Sequence, residues 1–168
     1  IFRRIFQSQG CEVIHLGHDR GADEVALAAV QEDAHAIAIT SYQGGAVEMF
    51  THTKQILEEH DFQHVFLCGG GGGTILPAEI KLLRDHDIAR IYSPDDGREL
   101  GLVGMVEDAI AKASENNLLD PKRFKFETPV DASQHGCIAR LLTIAENADE
   151  DLYREILDGV RESKSDDN

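Results

Sequence analysis

Apolar residues recur through the first two thirds of the chain in two alternating patterns, short continuous runs and stripes at helical spacing. The runs predict four buried strands, at 12–16, 36–40, 64–68 and 88–92. A stripe before the first run and one after each run predict helices with one apolar face. Strands that alternate with helices in this way indicate an α/β fold, with a parallel sheet whose two faces are both covered.

The loops that follow the four predicted strands begin near Gly17, Ser41, Gly69 and Ser93. Right-handed connections between parallel strands bring such loops together at one edge of the sheet, the carboxyl edge. Open parallel sheets bind their ligands at this edge. The pattern therefore predicts a ligand site that several of these loops form together.

The loop at Gly69 contains five consecutive glycines, 69–73, followed by a helix that begins near Pro77. Glycine has no Cβ and tolerates positive φ, so a ligand could approach bare backbone there. A flexible turn is the alternative interpretation. The run matches a dinucleotide fingerprint only weakly, because Thr74 replaces the third glycine. No Lys-Ser or Lys-Thr pair follows, which excludes a phosphate-binding P-loop.

A serine and two histidines at predicted strand ends are candidates for chemistry. Ser41 can either donate a hydrogen bond to a ligand or cap the helix that follows Gly45. His15 and His18 are three positions apart, and strand alternation sends such residues to opposite faces. A solvated loop is therefore favoured over a metal site at the histidines.

Composition excludes several classes of partner. The chain has 168 residues and a formal net charge of −15, which argues against binding to nucleic acid or an anionic membrane. No apolar run approaches the ~20 residues that span a bilayer. The cysteines Cys11, Cys68 and Cys137 are widely spaced, as expected for reduced thiols, and we expect a cytoplasmic location.

Three segments together resemble the cobalamin-binding domain of adenosylcobalamin-dependent acyl-CoA mutases, the family of methylmalonyl-CoA mutase. They are 41–45 (Ser-Tyr-Gln-Gly-Gly), the glycine run and 91–94 (Ile-Tyr-Ser-Pro). The family pattern is D-x-H-x-x-G, then S-x-L, then G-G. Gln43 replaces the leucine, as in the fused isobutyryl-CoA mutase branch, which the chain resembles most. The resemblance covers 1–114 and implies a flavodoxin-like (Rossmann-like) fold that binds adenosylcobalamin with its cobalt.

By this resemblance, several residues are expected to bind the cofactor, whereas no catalytic residue is expected in the chain. The binding residues are Ser41, Gln43, Gly44, Gly45, Gly69, Gly70, Gly71, Gly72, Gly73, Tyr92, Ser93 and Pro94. The serine and glycine loops would line a slot for the flat base of the nucleotide tail. The last three residues would close the far wall of that slot.

The role of cobalt ligand is not assigned to His18. It lies too close to Ser41 for the family spacing, and Leu16 stands where the motif has its aspartate. The resemblance instead places the ligating histidine upstream of Ile1, together with the first strand of the fold. That strand is interior in the flavodoxin-like order 2-1-3-4-5. We therefore expect a fragment of a larger protein that is marginally stable alone and prone to aggregate.

We expect two parts, a cobalamin-binding domain at 1–115 and an acidic helical linker at 116–168 that leads toward a following domain. The resemblance implies that the parent protein is an isomerase and a homo-oligomer. Its mutase barrel and GTPase chaperone domain would lie elsewhere in the same protein. The alternatives are a non-catalytic sensory or carrier module that binds cobalamin or a nucleotide, and a dinucleotide-binding domain of a dehydrogenase.

Overall fold

The computed structural model describes residues 1–119 and 133–154 of the chain. These residues form two compact units, the first from Ile1–Ala29 and Ala34–Asn116, the second from Val30–Asp33 and the described residues after Asn116. The elements, in chain order, are α1 (Phe2–Ser8), α2 (Ala22–Gln31), β1 (Ala36–Thr40), α3 (Ala46–Glu59), β2 (Phe66–Gly70), α4 (Pro77–Asp85), β3 (Arg90–Tyr92), α5 (Pro94–Ala113) and α6 (His135–Asn147).

The strands of the described residues form one parallel sheet in the order β1-β2-β3. Thr40 of β1 lies opposite Gly70 of β2, and Gly70 lies opposite Tyr92 of β3. The last residues of the three strands therefore stand side by side at the carboxyl edge. A parallel sheet flanked by helices is consistent with a flavodoxin-like fold, and it confirms the predicted fold class.

Helices pack on both sides of the sheet. On one side α3 and α4 contact each other, and Phe50 and Leu57 of α3 are fully buried. On the other side β2 and α5 form a core cluster, whose members are Phe66, Cys68, Ala109 and Ala113, with Phe6 and Tyr92 packed against them. Burial, reinforced by the charge of Asp108, raises the pKa of the Cys68 thiol to about 12. This cysteine is therefore a neutral core residue, not a nucleophile.

The strand predicted at 12–16 is wrong. The segment forms no strand, and the side chain of Ile14 is exposed. A strand needs a neighbour to satisfy its backbone hydrogen bonds. In the order 2-1-3-4-5 this strand would have a single neighbour, and the described residues contain no strand that pairs with it. The apolar run identified a segment able to form a strand but could not supply its partner.

Two further expectations about the strands need correction. β2 ends at Gly70 rather than at Cys68, because Gly69 and Gly70 pair with both neighbouring strands. One face of β1 is also exposed, contrary to the prediction that both sheet faces are covered. Its exposed residues alternate along the strand and are Ala36, Ala38 and Thr40.

The loop predicted to begin near Ser93 is instead the beginning of α5. Ser93 caps this helix through a hydrogen bond between its Oγ and the N–H of Asp96, and Pro94 occupies the first helical position. Proline is favoured there because its fixed φ suits a helix and its missing N–H has no partner to lose. Gly101 interrupts the helix with φ of 66° and ψ of 177°.

The second unit contains α6, which lies within the segment 116–168 that is expected to be helical. Arg140 on α6 is buried, and its Nη2 lies 2.6 Å from Oδ1 of the buried Asp33, while its Nη1 donates to the carbonyl of Leu118 at 2.8 Å. Buried charges in proteins are normally paired in this way. About half of the predicted linker, residues 120–132 and 155–168, lies outside the described residues.

Candidate ligand site at the carboxyl edge of the sheet

The serine loop and the glycine run are joined directly by hydrogen bonds. The N–H of Ser41 donates to the carbonyl of Gly70 at 2.9 Å. The hydroxyl of Thr74 lies 2.7 Å from two carbonyl oxygens, those of Ser41 and Gly71. Two of the loops predicted to meet at the carboxyl edge therefore do meet there, and Thr74 ties them together.

The first three glycines are required by the packing of the protein itself. A Cβ on Gly69 would overlap the carbonyl oxygen of Ile39, and one on Gly71 would overlap that of Ser41. A Cβ on Gly70 would lie 2.8 Å from the carbonyl oxygen of Tyr92. Backbone atoms cannot move aside as a flexible side chain can. These glycines therefore allow the neighbouring backbones to approach closely, and they are not free to contact a ligand through an empty Cβ position.

The last two glycines lie beside the side chains of two neighbouring loops. Gly72 and Gly73 have φ values of 57° and 102°, and both are exposed. A Cβ on Gly72 would lie 3.4 Å from Cε1 of Tyr42, and one on Gly73 would lie 3.6 Å from Cγ of Pro94. The backbone of Gly72 and Gly73 is thus flanked by the side chains of Tyr42 and Pro94. We call this arrangement of four residues the glycine slot.

Ser41 does not cap a helix, so that interpretation is wrong. The N-cap of α3 is Gly45, with φ of 87°, and no side chain caps it. The hydroxyl of Ser41 instead donates to the carbonyl of Gln43 at 3.1 Å. Gln43 and Gly44 are exposed in the loop that leads into α3. The serine hydroxyl therefore lies at the carboxyl edge, next to the glycine run.

Tyr92 and Ser93 are engaged with α5. The hydroxyl of Tyr92 donates to Oδ2 of Asp108 at 2.8 Å, and burial together with this bond raises the pKa of the tyrosine. The N–H and the hydroxyl of Ser93 both donate to Oδ2 of Asp96, at 2.7 and 2.6 Å. Of the predicted far wall, only Pro94 directly flanks the slot, and the other two residues support it.

Two aspartates on α5 are stabilised as carboxylates. Partial burial works against ionisation of Asp96, but the hydrogen bonds from Ser93 and then Arg90 outweigh it and lower the pKa. The same burial opposes ionisation of Asp108, and the hydrogen bonds from Lys112, Tyr92 and Arg90 again lower the pKa. Arg90 contacts both carboxylates, and its own pKa is raised by them despite its partial burial. Hydrogen bonds to the charged form are the general cause of such shifts.

Sequence reasoning missed several residues that build this edge. In the sequence, Thr74 only interrupts a glycine fingerprint, whereas in the fold its hydroxyl joins the two loops. Asp96 could have been found, because Ser93-x-x-Asp96 has the spacing of a capping box. Nothing local pointed to Asp108, whose contacts with Arg90 and Tyr92 span 18 and 16 positions.

His18 lies on the surface of the protein. Its side chain is 94% exposed, and its Nδ1 lies 2.7 Å from Oδ2 of Asp19. Within 1–119 and 133–154, no three His, Cys, Asp or Glu side chains are grouped so that they could hold a metal ion. In the same part of the chain, no helix is both long and apolar enough to cross a bilayer.

Comparison with known proteins identifies relatives that cover much of the chain. No protein-family model matches the chain. Over 153 residues it is 48% identical to the fused isobutyryl-CoA mutase of Cupriavidus metallidurans, an alignment that covers 90% of this chain and 14% of that protein. The chain matches a domain of the fused isobutyryl-CoA mutases. The resemblance to this mutase family, inferred from the three motifs, is therefore confirmed.

A second relative of this fused-mutase domain comes from a different bacterium. The fused isobutyryl-CoA mutase of Geobacillus kaustophilus is 54% identical over 106 residues, which cover 63% of this chain and 10% of that protein. The chain thus spans 14% and 10% of the lengths of these two relatives. Both relatives are named as mutases, which are isomerases, and both are named as fused proteins.

Proposed function

We propose that the chain is the cobalamin-binding module of a fused isobutyryl-CoA mutase, and that the glycine slot holds the nucleotide tail of adenosylcobalamin. The observation that carries this proposal is the slot itself, where Gly72 and Gly73 present bare backbone between Tyr42 and Pro94. The flat base at the end of the tail is the part of cobalamin that suits such an opening.

The absence of a Cβ at the two glycine positions leaves their backbone accessible to the face of a flat ligand. A Cβ at Gly72 or Gly73 would already be in van der Waals contact with Tyr42 or Pro94, at 3.4 and 3.6 Å. Tyr42 is 68% exposed, so its ring is available for contact with an incoming heterocycle. Stacking between aromatic rings adds about 0.5–1.5 kcal/mol beyond the area that is buried.

The hydroxyl of Ser41 adds a polar contact at the same edge. Its present acceptor, the carbonyl of Gln43, is 3.1 Å away on an exposed loop. Such a hydroxyl can rotate and donate to a ring nitrogen of the ligand instead. In this proposal Ser41 orients the base, while Gly69 to Gly71 hold the sheet edge on which the slot is built.

The capping of the neighbouring helices argues against a dinucleotide as the ligand. A pyrophosphate normally sits at the N-terminus of the helix that follows the glycine loop. Here that helix is α4, and the N–H of Leu76 is occupied by Oε2 of Glu79 at 2.7 Å. The N–H of Ser93, before α5, is likewise bound by Asp96. At either position, a carboxylate already occupies the place that a phosphate would take.

Bound adenosylcobalamin supplies a radical through homolysis of its cobalt–carbon bond, so the cofactor carries the chemistry. The proposed task of residues 1–115 is to bind and orient the nucleotide tail, and that of residues 116–168 is to link this module to the next. No residue of the described part is assigned as cobalt ligand. The mutase barrel, the GTPase chaperone domain and homo-oligomeric assembly belong to the proposed parent protein.

Titration of the whole chain with adenosylcobalamin and, separately, with NADH tests the proposal. We expect binding of the cobalamin, with a change in its visible spectrum, and no binding of NADH. Gly73→Ala should raise the Kd for adenosylcobalamin at least about tenfold, which corresponds to about 1.4 kcal/mol. The reason is that the added Cβ narrows the slot against Pro94.

Gly10→Ala is the matched control. Gly10 also has a positive φ, 88°, but a Cβ there would meet nothing within 4 Å. Both substitutions should cost about 1–2 kcal/mol of stability through the backbone alone, whereas only Gly73→Ala should weaken binding. NADH binding without cobalamin binding would refute the proposal, and so would equal cobalamin affinity in the two variants.

A further inference from the structure

α5 consists of two helical segments that meet at Gly101. The φ of 66° and ψ of 177° at this residue are essentially restricted to glycine. The buried residues of the helix all belong to the second segment; they are Met105, Val106, Ala109 and Ala113. The first segment begins at Pro94, beside the slot, and contributes no buried side chain. Core packing therefore fixes the second segment but not the first.

The first segment is held by polar contacts that centre on Arg90 of β3. Nη2 of Arg90 donates to Oδ1 of Asp96, in the first segment, at 2.8 Å. Nε of Arg90 donates to Oδ2 of Asp108, in the second segment, at 3.4 Å. We call these three residues the Arg90 clamp. Their side chains are only 22–27% exposed, so salt and water screen the contacts less than on an open surface.

Asp96 connects the Arg90 clamp to the slot. While its Oδ1 binds Arg90, its Oδ2 accepts hydrogen bonds from both the N–H and the hydroxyl of Ser93. Pro94 is the next residue, and its Cγ lies 3.6 Å from the position of a Cβ on Gly73. A continuous series of contacts therefore runs from Arg90 through Asp96 and Ser93 to the side of the slot.

We propose that Arg90 is a positioning residue, which fixes the angle between the two segments of α5 and thereby sets the width of the slot between Gly73 and Pro94. The inference rests on the proposed function, because it takes the slot as the ligand site. Arginine suits this task since its planar fork can serve two carboxylates at once, whereas lysine offers one ammonium group on a flexible stem. The ring of Tyr92, 4.7 Å from Cζ of Arg90, supports the guanidinium from one side.

Hydrogen exchange of the ligand-free whole chain tests the clamp without any cofactor. Arg90→Met removes the bridge, and Asp96→Asn keeps an oxygen for Ser93 while it places an amide group against the guanidinium. In both variants we expect exchange of the amides at 97–104 to accelerate about tenfold, because local opening requires fewer broken contacts. The amides of β2 should exchange as in the unmodified chain.

Asp95→Asn is the matched control for the exchange experiment. Asp95 is the neighbouring carboxylate, its side chain is 83% exposed, and its ion pair is with the exposed Arg98. This substitution makes the same change of charge in the same helical turn and should leave exchange at 97–104 unaltered. Equal acceleration in α5 and β2 would indicate a general loss of stability and would overturn the proposal, as would unaltered exchange in Arg90→Met.

Titration with adenosylcobalamin then tests the link between the Arg90 clamp and the slot. Arg90→Met and Asp96→Asn should raise the Kd about fivefold, since a binding site that is less preorganised loses affinity. Arg90→Lys keeps the charge but loses the fork, and it should weaken binding as well. An unchanged Kd in all three variants would refute the link. If the unmodified chain did not bind adenosylcobalamin, the proposed function would be refuted. The exchange data would still show whether the Arg90 clamp holds the first segment of α5.

Discussion

The five consecutive glycines look alike in the sequence but form two regions with different tasks. At Gly69, Gly70 and Gly71, atoms of neighbouring residues already occupy the place of a Cβ. Gly72 and Gly73 instead adopt positive φ and lie beside the side chains of Tyr42 and Pro94. The first region allows the sheet edge to form, and the second shapes the slot. A glycine-rich loop is therefore not a ligand site along its whole length.

The largest effect is expected in the first region, from Gly69→Ala. The added Cβ would overlap the carbonyl oxygen of Ile39 and lie 2.7 Å from Cζ of Phe50, so β1 and β2 could not keep their spacing. Overpacking of this kind costs about 1–3 kcal/mol and occasionally more, and contact with rigid backbone places this case at the upper end. Denaturant unfolding monitored by circular dichroism measures the loss.

Gly21→Ala is the control for this substitution, because a Cβ there would meet nothing within 4 Å and no positive φ is required. Its free energy of unfolding should stay within about 0.5 kcal/mol of the unmodified chain. If Gly69→Ala were as mild as Gly21→Ala, the division of the glycine run into two regions would be wrong.

A smaller change in stability, with a clear loss of binding, is expected in the second region from Gly72→Asn. Asparagine tolerates the left-handed conformation, and four aspartates of this chain already adopt φ between 47° and 61°, close to the 57° of Gly72. Stability should change by no more than about 0.5 kcal/mol. The side chain would occupy the slot beside Tyr42, so the Kd for adenosylcobalamin should rise at least about tenfold, or 1.4 kcal/mol.

Gly17→Asn provides the comparison for this variant, since Gly17 has φ of 88° and open space around it. The affinity of this control for adenosylcobalamin should equal that of the unmodified chain. If Gly72→Asn unfolded the chain instead of selectively weakening binding, Gly72 would belong to the first region, with Gly69 to Gly71.

The smallest effect is expected on stability, from a substitution of Asp108, and it depends on pH. Asp108 contacts both Arg90 and Tyr92. The pKa of Asp108 is lowered from its ordinary value of 3.8, so the unfolded chain binds more protons at this site as pH falls below about 4. The stabilisation is therefore complete above that pH and is lost as pH drops through the lower, folded pKa. Asp108→Asn should cost about 1 kcal/mol at pH 7, since a partly exposed group contributes modestly.

The measurement is the difference in unfolding free energy between Asp108→Asn and the unmodified chain, at pH 7 and near pH 3. We expect this difference to shrink at the lower pH. Glu107→Gln is the control, because it makes the same change of charge at the preceding position of α5, which is exposed. If the difference in unfolding free energy for Asp108→Asn did not depend on pH, the conclusion that folding stabilises the Asp108 carboxylate would be wrong.

The sequence predicted those elements whose signals are local. The stripes at helical spacing predicted the helices, and the apolar run at 36–40 coincides with β1. The run at 12–16 carried the same signal but forms no strand, because pairing depends on a neighbour that the pattern cannot reveal. Local periodicity thus identifies a segment that can form a strand. Whether the strand forms depends on a neighbouring strand with which the segment can pair.

The candidate site was predictable only in part, for the same reason. The meeting of the serine and glycine loops followed from the carboxyl-edge rule, and the bonds of Thr74 agree with it. The role of Gly69 depends on strand register, which places it opposite Ile39. The role of Gly72 depends on the loop that brings the ring of Tyr42 beside it. Each role thus depends on a second segment of the chain, so the sequence around either glycine does not reveal it.

β1 hydrogen-bonds to β2 along one side, and in the described residues its other side has no strand beside it. One face of β1 is exposed as well, and it carries the small side chains of Ala36, Ala38 and Thr40. Open N–H and C=O groups on such an edge are a template for self-association. Binding to this chain should therefore be measured at low protein concentration. In concentrated samples, self-association of the chain would also affect the measured Kd for adenosylcobalamin.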